Sequence, residues 1–409
     1  QGYCKLAQKQ MNNNPIVLAL EIGTSKMVAV AGELLNSSEI NVLSVGRGKP
    51  GGVKKADIID LGKAASLAQS AIEEAQKEIG NADVDFVYLA ISGSQISAIR
   101  STGSANISAI DGTISKQDIE RAKNDAKSKI LPPDACFINR ICCGYYIDGQ
   151  YVKNPEGQKG SLLEAEYWLM YANKDKILNA MSVVQTFGNL EIEEILHSGI
   201  ASALACTTPL QRENGVLCID IGCGATDYAF FKNGKVFQAG TIPVGGDHVT
   251  NDLSLGLRLS MKNANKTKLK YGKIIPTEDE LRGDVWLNGD KSIGDKIIPL
   301  ASINKIICLR FEELFSNIRA ELSDYFANGN VSEVLLTGGV SRTQDLSGLA
   351  STVLGVQTRN ARAAEWVPAN LASPEYSTVL GLLAAASRDM KKRGKKSGGS
   401  IFSNIFKKR

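Results

Sequence analysis

Two short segments, about two hundred residues apart, each place a carboxylate beside a turn suited to holding a phosphate. The first is Leu18-Ala19-Leu20-Glu21-Ile22-Gly23-Thr24-Ser25-Lys26, followed by the apolar run Met27 to Ala31. The second is Val216-Leu217-Cys218-Ile219-Asp220-Ile221-Gly222-Cys223-Gly224-Ala225-Thr226-Asp227, followed by Tyr228 to Phe231. Glycine lets the backbone come close to a phosphate, and turn N–H groups and hydroxyls donate to its oxygens. Gly23, Thr24, Ser25 and Lys26 are therefore candidates for one phosphate loop, and Gly222, Cys223, Gly224, Ala225 and Thr226 for another. Glu21, Asp220 and Asp227 are candidates to orient the waters of a bound Mg²⁺. One such hairpin is more often structural than functional. Two that face each other would clamp a triphosphate. A third segment, Val331 to Ser341, is an apolar strand that ends in Gly338-Gly339, where a flat base can lie against the backbone.

The surrounding pattern supplies elements to position these groups. Apolar alternation predicts strands over Ile16–Ile22, Met27–Glu33 and Ile40–Gly46. A helix follows from about Leu61 to Ile79, with Leu67, Ala68, Ala71, Ile72, Ala75 and Ile79 on one stripe. From about 85 to 164 the pattern reads as an α+β insert: strand Phe86–Ser92, a helix capped by Ser115 that runs to Lys129, then strands Ala135–Ile147 and Leu162–Leu169. Helix Lys174–Phe187, strand Leu190–His197 and helix Ile200–Thr207 lead to the second hairpin, and Leu309 to Tyr325 forms a long amphipathic helix.

Composition narrows the class. A chain of 409 residues suggests two or three domains with their own cores. Eight scattered cysteines, no Cys-x-x-Cys and two histidines argue against a zinc site or a disulfide framework. No apolar run has the length of a membrane-spanning helix. Residues 1–14 read as a loose polar extension without a secretory core. From Arg388 onward nine Lys/Arg face Asp389 alone, so a body of net −4 carries a tail of net +8. The folded part lacks interleaved basic and aromatic patches, and no nucleic-acid role is expected.

The tail divides into a basic linker, 388–399, and Ser400 to Arg409. Ile401, Phe402, Ile405 and Phe406 share one helical face, and Lys407, Lys408 and Arg409 finish the last turn. Ten residues are too few for a stable helix in water, so an interfacial anchor for an anionic membrane is expected. Burying each Ile or Phe contributes roughly 1.5–3 kcal/mol. Basic residues add about 1 kcal/mol each near anionic lipid. Ordering the backbone costs about 1–2 kcal/mol per residue. One copy should hold weakly, and a row of copies firmly.

Together the three glycine segments resemble the phosphate-1, phosphate-2 and adenosine motifs of the actin, heat-shock chaperone and sugar-kinase superfamily. The segments between them are similar to the FtsA family of bacterial cell-division proteins. They are Phe86 to Gly93, Lys153 to Glu164, Gly245 to Leu253, and Ser373-Pro374-Glu375-Tyr376 through Gly381-Leu382-Leu383. The resemblance runs from about Pro15 to Met390 and includes the last ten residues. It implies an actin-like duplicated α/β fold: two lobes of mixed five-stranded sheet plus helices around a nucleotide cleft, an inserted α+β subdomain and a C-terminal amphipathic helix. The first lobe would take 15–84 and 165–213, the insert 85–164, and the second lobe 214–387 with a subdomain at about 251–324. The helix Leu309 to Tyr325, with the region before it, resembles the face that binds the C-terminal peptide of tubulin-like FtsZ.

The resemblance further implies ATP and Mg²⁺ as ligands, filaments of the chain itself, and other division proteins bound through the insert. It implies a place on the cytoplasmic face of the cell membrane at the division site. Two departures stand out. Ser198-Gly199 replaces a family Glu-Pro, and Asn265 replaces the Glu of an Ala-Glu-x-x-Lys motif whose Lys268 is kept. The family motif contacts the ribose, so Asn265 and Lys268 join the candidate site. Slow hydrolysis at most is expected. The competing reading is a soluble ATPase of the superfamily, such as a small-molecule kinase.

Overall fold

The computed structural model describes residues 14–35, 39–80, 83–186, 190–287 and 294–393. The N-terminal extension, up to residue 13, and the tail from 394, with its amphipathic segment, lie outside the described residues. β1 (Ile16–Ile22) and β2 (Met27–Leu34) pair antiparallel with Ile22 opposite Met27. β3 (Ile40–Gly48) extends the sheet, and the two-residue strands β4 (Val53–Lys54) and β5 (Asp57–Ile58) form a tight hairpin. α1 (Leu61–Ile79) is capped by Asp60, which accepts the Lys63 N–H at 3.0 Å.

α1 buries Ala64, Ala65, Ala68, Ala71, Ile72 and Ala75. Gly46 and Gly48 lie against it so closely that a Cβ on either would overlap a carbonyl oxygen, of Ala71 or Leu67. Helix and sheet meet nearly backbone to backbone, a spacing that only small residues allow.

β6 (Phe86–Ile91) runs parallel to β1. The insert follows: β7 (Ile96–Asn106), α2 (Lys116–Lys127) with a Ser115/Asp118 capping box, β8 (Ala135–Ile147), β9 (Gln150–Val152) and β10 (Leu162–Asn173). α3 (Lys174–Gln185), β11 (Ile192–His197) and α4 (Ser198–Cys206) return the chain to the first lobe. The first sheet has the order β11-β6-β1-β2-β3 and the insert's sheet β7-β10-β8-β9.

The expected insert boundaries need correction at both ends. Phe86–Ile91 is apolar on both faces and lies between two parallel partners inside the first sheet, so it does not open the insert. β10 pairs with β7 and β8 through Ala172, so the insert's sheet extends past residue 164.

α5 (Pro209–Asn214) leads into β12 (Val216–Ile221), β13 (Thr226–Lys232) and β14 (Lys235–Ile242). Then come α6 (Gly246–Leu257), α7 (Met261–Tyr271), α8 (Glu278–Leu281), the small hairpin β15 (Asp284–Leu287) and β16 (Lys296–Pro299), α9 (Leu300–Glu321) and α10 (Ser323–Ala327). The long helix thus begins well before Leu309 and breaks at Leu322. β17 (Glu333–Thr337), α11 (Leu346–Leu354), β18 (Thr358–Asn360) and α12 (Ser377–Arg393) complete the described chain. The second sheet, β14-β13-β12-β17-β18, repeats the first: an antiparallel hairpin on one side of the opening strand, parallel strands on the other.

The second sheet packs on large side chains, among them Phe230, Phe311, Leu314, Phe315 and Ile318. α12 lays Val379, Leu382, Leu383 and Ala386 across the first sheet instead, against Val17, Ala19, Val28 and Val30. It crosses α4 so tightly that a Cβ on Gly381 would overlap the Ala201 carbonyl. The insert touches both lobes. Asn139 bonds to the Ile195 carbonyl and the His197 N–H, each at 3.1 Å. On the other side Trp168 Nε1 donates to the Ala239 carbonyl at 2.9 Å, and Arg100 bonds Glu166 at 2.8 Å and the Tyr325 hydroxyl. Among the described residues no helix is long and apolar enough to cross a membrane.

Candidate nucleotide site

The two glycine turns are the same turn built twice. Each spans four residues between paired strands, Gly23 to Lys26 and Gly222 to Ala225. Gly23 N–H donates to the Lys26 carbonyl at 2.9 Å, and Gly222 N–H to the Ala225 carbonyl at 3.0 Å. A Cβ on either glycine would sit 2.9 or 3.0 Å from that same carbonyl. The turns meet tip to tip: a Cβ on Gly224 would overlap the Thr24 hydroxyl. Beneath them lies a cavity of about 700 Å³, within the range of small-molecule sites. Glu21, Gly23, Thr24, Ser25 and Lys26 line it from one half. Asp220, Gly222, Cys223, Gly224, Ala225 and Asp227 line it from the other, with Asn265, Lys268, Gly338 and Gly339 further along.

Three carboxylates converge at the turns. Glu21 pairs with Lys26 at 2.9 Å, and the same ammonium donates to the Glu375 carbonyl. Asp220 is buried and accepts the Ser202 hydroxyl, from α4, and the Thr378 hydroxyl, from α12, the latter at 3.2 Å. Burial pushes its carboxyl up to about 7, and the charges of Glu21 and Asp227 add to the rise against the opposing Ser202 hydrogen bond. Asp227 stands directly opposite Asp220 across the β12–β13 pair. It accepts the Ser92 hydroxyl at 2.8 Å and the Thr241 hydroxyl at 2.6 Å, with His197 Nε2 at 3.3 Å. Among the described residues no three His, Cys, Asp or Glu side chains are grouped closely enough to ligate a metal directly, so these carboxylates suit a divalent cation held through its waters.

The far end suits a base and sugar. Gly338 adopts φ 83°, and a Cβ there would overlap Asp220 and sit 2.5 Å from the Ile221 carbonyl, so only glycine fits. Gly339 faces open space. Lys268 Nζ donates to the Gly246 carbonyl at 2.8 Å and Thr250 at 2.7 Å, and burial lowers the pKa of its ammonium. Asn265 stands beside it on α7, its amide oxygen within 3.5 Å of Thr250. Leu269, Ile307, Phe311 and Val340 supply apolar wall. The Cys223 thiol donates to Asp247 at 2.9 Å, and burial with that carboxylate pushes it up to about 12, so it stays a thiol at neutral pH.

One expected residue does not face the cavity. Thr226 is fully buried and donates its hydroxyl to the Val244 carbonyl at 2.7 Å. It pairs with Ile221 as the first residue of β13, the place Met27 holds in the other hairpin, so it belongs to the strand rather than the loop. Residues not singled out from sequence also shape the site: Ser202 and Thr378 on Asp220, Ser92, Thr241 and His197 on Asp227, and Ala56 in the wall. Apart from Ala56, which carries no signal, their only sequence signal is a hydroxyl or imidazole within an apolar or small-residue run. Gly199 is held small by β13, since a Cβ there would lie 2.8 Å from the Tyr228 nitrogen. Ser198 lines the cavity and donates to the Ile91 carbonyl at 3.0 Å.

Comparison with known proteins agrees with this architecture. The family model described as Cell division protein FtsA matches residues 217–381, and that described as the SHS2 domain inserted in FTSA matches residues 93–171. The second match covers the β7–β10 sheet to within two residues of its end. Cell division protein FtsA of Pseudomonas aeruginosa is 29% identical over 384 residues, which cover 91% of this chain and 89% of that protein. Among solved structures, the PilM-PilN type IV pilus biogenesis complex aligns with a TM-score of 0.65 at 17% identity, over 91% of this chain and 98% of that one. MreB5 of Spiroplasma citri bound to ADP aligns with a TM-score of 0.52 at 15% identity, over 94% and 99%. The fold is thus actin-like. With an FtsA-type insert in one half, an FtsA-type second half, and similarity to a cell-division protein over 91% of its length, the chain belongs to the FtsA family of cell-division proteins.

Proposed function

We propose that the chain binds ATP with Mg²⁺ in this cavity, assembles into filaments on the cytoplasmic face of the cell membrane, and ties the tubulin-like FtsZ polymer to it at the division site. The observation that carries the nucleotide reading is the pair of equal glycine turns meeting at Thr24 and Gly224. The ADP named for the Spiroplasma relative supports it. Gly23 to Lys26 and Gly222 to Ala225 would cradle the phosphates through backbone N–H groups and the Thr24 and Ser25 hydroxyls. Glu21, Asp220 and Asp227 would hold Mg²⁺ through its waters, and the cation would offset the repulsion among them. Asn265 would hydrogen-bond the ribose and Gly338-Gly339 would lie against the base.

ATP in this reading is chiefly an assembly ligand. Ser198-Gly199 provides no carboxylate where the family Glu stands, so hydrolysis is slow at most. Family membership supports the FtsZ C-terminal peptide as partner and the insert as the surface that recruits other division proteins. The basic, amphipathic tail, with Ile401, Phe402, Ile405 and Phe406, supports anionic lipid as the attachment. The test is co-sedimentation with anionic liposomes, with and without Mg–ATP, for the full chain and one ending at Gly399. Binding that needs 400–409 and rises with Mg–ATP is expected. Binding indifferent to both would favour a soluble ATPase.

A further inference from the structure

The hairpin β4–β5 closes through a two-residue turn, Lys55-Ala56, and both residues are left-handed, with φ of 51° and 61°. That turn form selects glycine and asparagine, whereas a lysine or alanine held there is strained. Strain of this kind persists where surrounding contacts enforce it. The contacts here are the two glycine turns themselves. Ala56 N–H donates to the Thr24 hydroxyl at 2.8 Å. A Cβ on Gly224 would lie 2.8 Å from Lys55 Cα and 2.9 Å from the Ala56 nitrogen. The strained turn therefore touches both candidate phosphate loops at their meeting point. The hairpin is fastened from behind by the Lys176–Asp57 ion pair, at 2.7 Å.

Charge singles out Lys55 within this arrangement. Lys26 is already engaged by Glu21 and the Glu375 carbonyl, and Lys268 by Gly246 and Thr250. Lys55 is exposed and makes no hydrogen bond or ion pair among the described residues. Lys268 reaches the second loop on its Gly246 side, next to Cys223, while Lys55 stands at Gly224. After burial, the charge of Lys55 is the next cause holding His248, on α6, below its ordinary pKa. Ala56 lines the cavity, and Lys55 stands beside it at the Gly224 tip, where the two loops meet.

We propose that the Lys55-Ala56 turn is a third phosphate-binding element, whose lysine takes the terminal phosphate of a bound nucleoside triphosphate. The inference rests on the reading of the cavity as an ATP site. A charge-assisted contact to the last phosphate discriminates triphosphate from diphosphate, since a diphosphate does not reach it. The ammonium is supplied by a turn that also braces the two loops, so the contact and the closure of the phosphate end are one event.

Calorimetric titration of the full chain with Mg–ATP and with Mg–ADP tests this in wild type, Lys55→Ala, Lys55→Arg and Lys54→Ala. Lys55→Ala should weaken Mg–ATP by about tenfold or more and Mg–ADP by less than about threefold. Lys55→Arg should keep most of the discrimination, and Lys54→Ala, which removes the same charge one residue away, should keep all of it. Equal weakening of both nucleotides, or no weakening of either, overturns the terminal-phosphate role while the ATP site stands. A wild-type chain that binds neither nucleotide overturns the site reading, and this inference with it.

Discussion

Asp220 carries opposing demands. It is buried and steadied by two hydroxyls from helices far apart in the chain. Its carboxyl rises from 3.8 to about 7. The folded state therefore holds a proton that the unfolded chain has already released over most of that interval. The stability this contributes is full below the unfolded value and is lost as pH rises through about 7. Metal affinity moves the other way, because only the ionised carboxylate attracts the cation. Mg²⁺-dependent ATP affinity should climb between about pH 6 and pH 8, and Asp220→Asn should lower it by at least about tenfold and flatten the climb. Titration of ATP against Mg²⁺ across that range checks both. The carboxylates and glycines of the two turns were legible from sequence because each lies within nine residues of its strand signal. Ser202 and Thr378 were not, since nothing local tells which distant hydroxyl will reach a buried acid. Thr226 was misplaced by one residue because composition does not reveal where a turn becomes a strand.

At the scale of elements, strong periodicity proved informative and weak periodicity did not. The first hairpin, α1 and β11 could be read directly from their apolar runs. β7 could not: its Ser, Thr and Gly residues alternate in burial without being apolar. β6 was assigned to the wrong sheet because an all-apolar strand records that it is buried and not by what. The α4–α12 crossing is another feature hidden from sequence. It brings Ser202 and Thr378 to the same carboxylate, and it depends on Gly381 lying against Ala201. Gly381→Ala should push the helices apart, destabilise the fold by about 1–3 kcal/mol, and weaken nucleotide binding by moving Thr378 off Asp220. Urea unfolding and nucleotide titration of the variant measure the two effects. Lost stability with unchanged affinity would separate the crossing from the site.

The molecule as a whole is a duplication whose halves hold together differently. Their sheets share one wiring and their turns one hydrogen bond, yet the first sheet takes α1 through alanine and glycine and meets large side chains of α12 on its other face, while the second packs on phenylalanine, leucine and isoleucine. Close backbone contact removes less hydrocarbon from water than the burial of large side chains. The halves should therefore not melt alike. In a calorimetric scan of the nucleotide-free chain the alanine-packed half should give way first, as a separate shoulder at lower temperature. A ligand gripped by both halves adds its binding energy to the weaker one and should merge the two transitions into a single, later peak. Two unequal slabs, already joined by α12 and the insert, then behave more nearly as one cooperative body while the cleft is filled, so that rigidity itself reports the ligand.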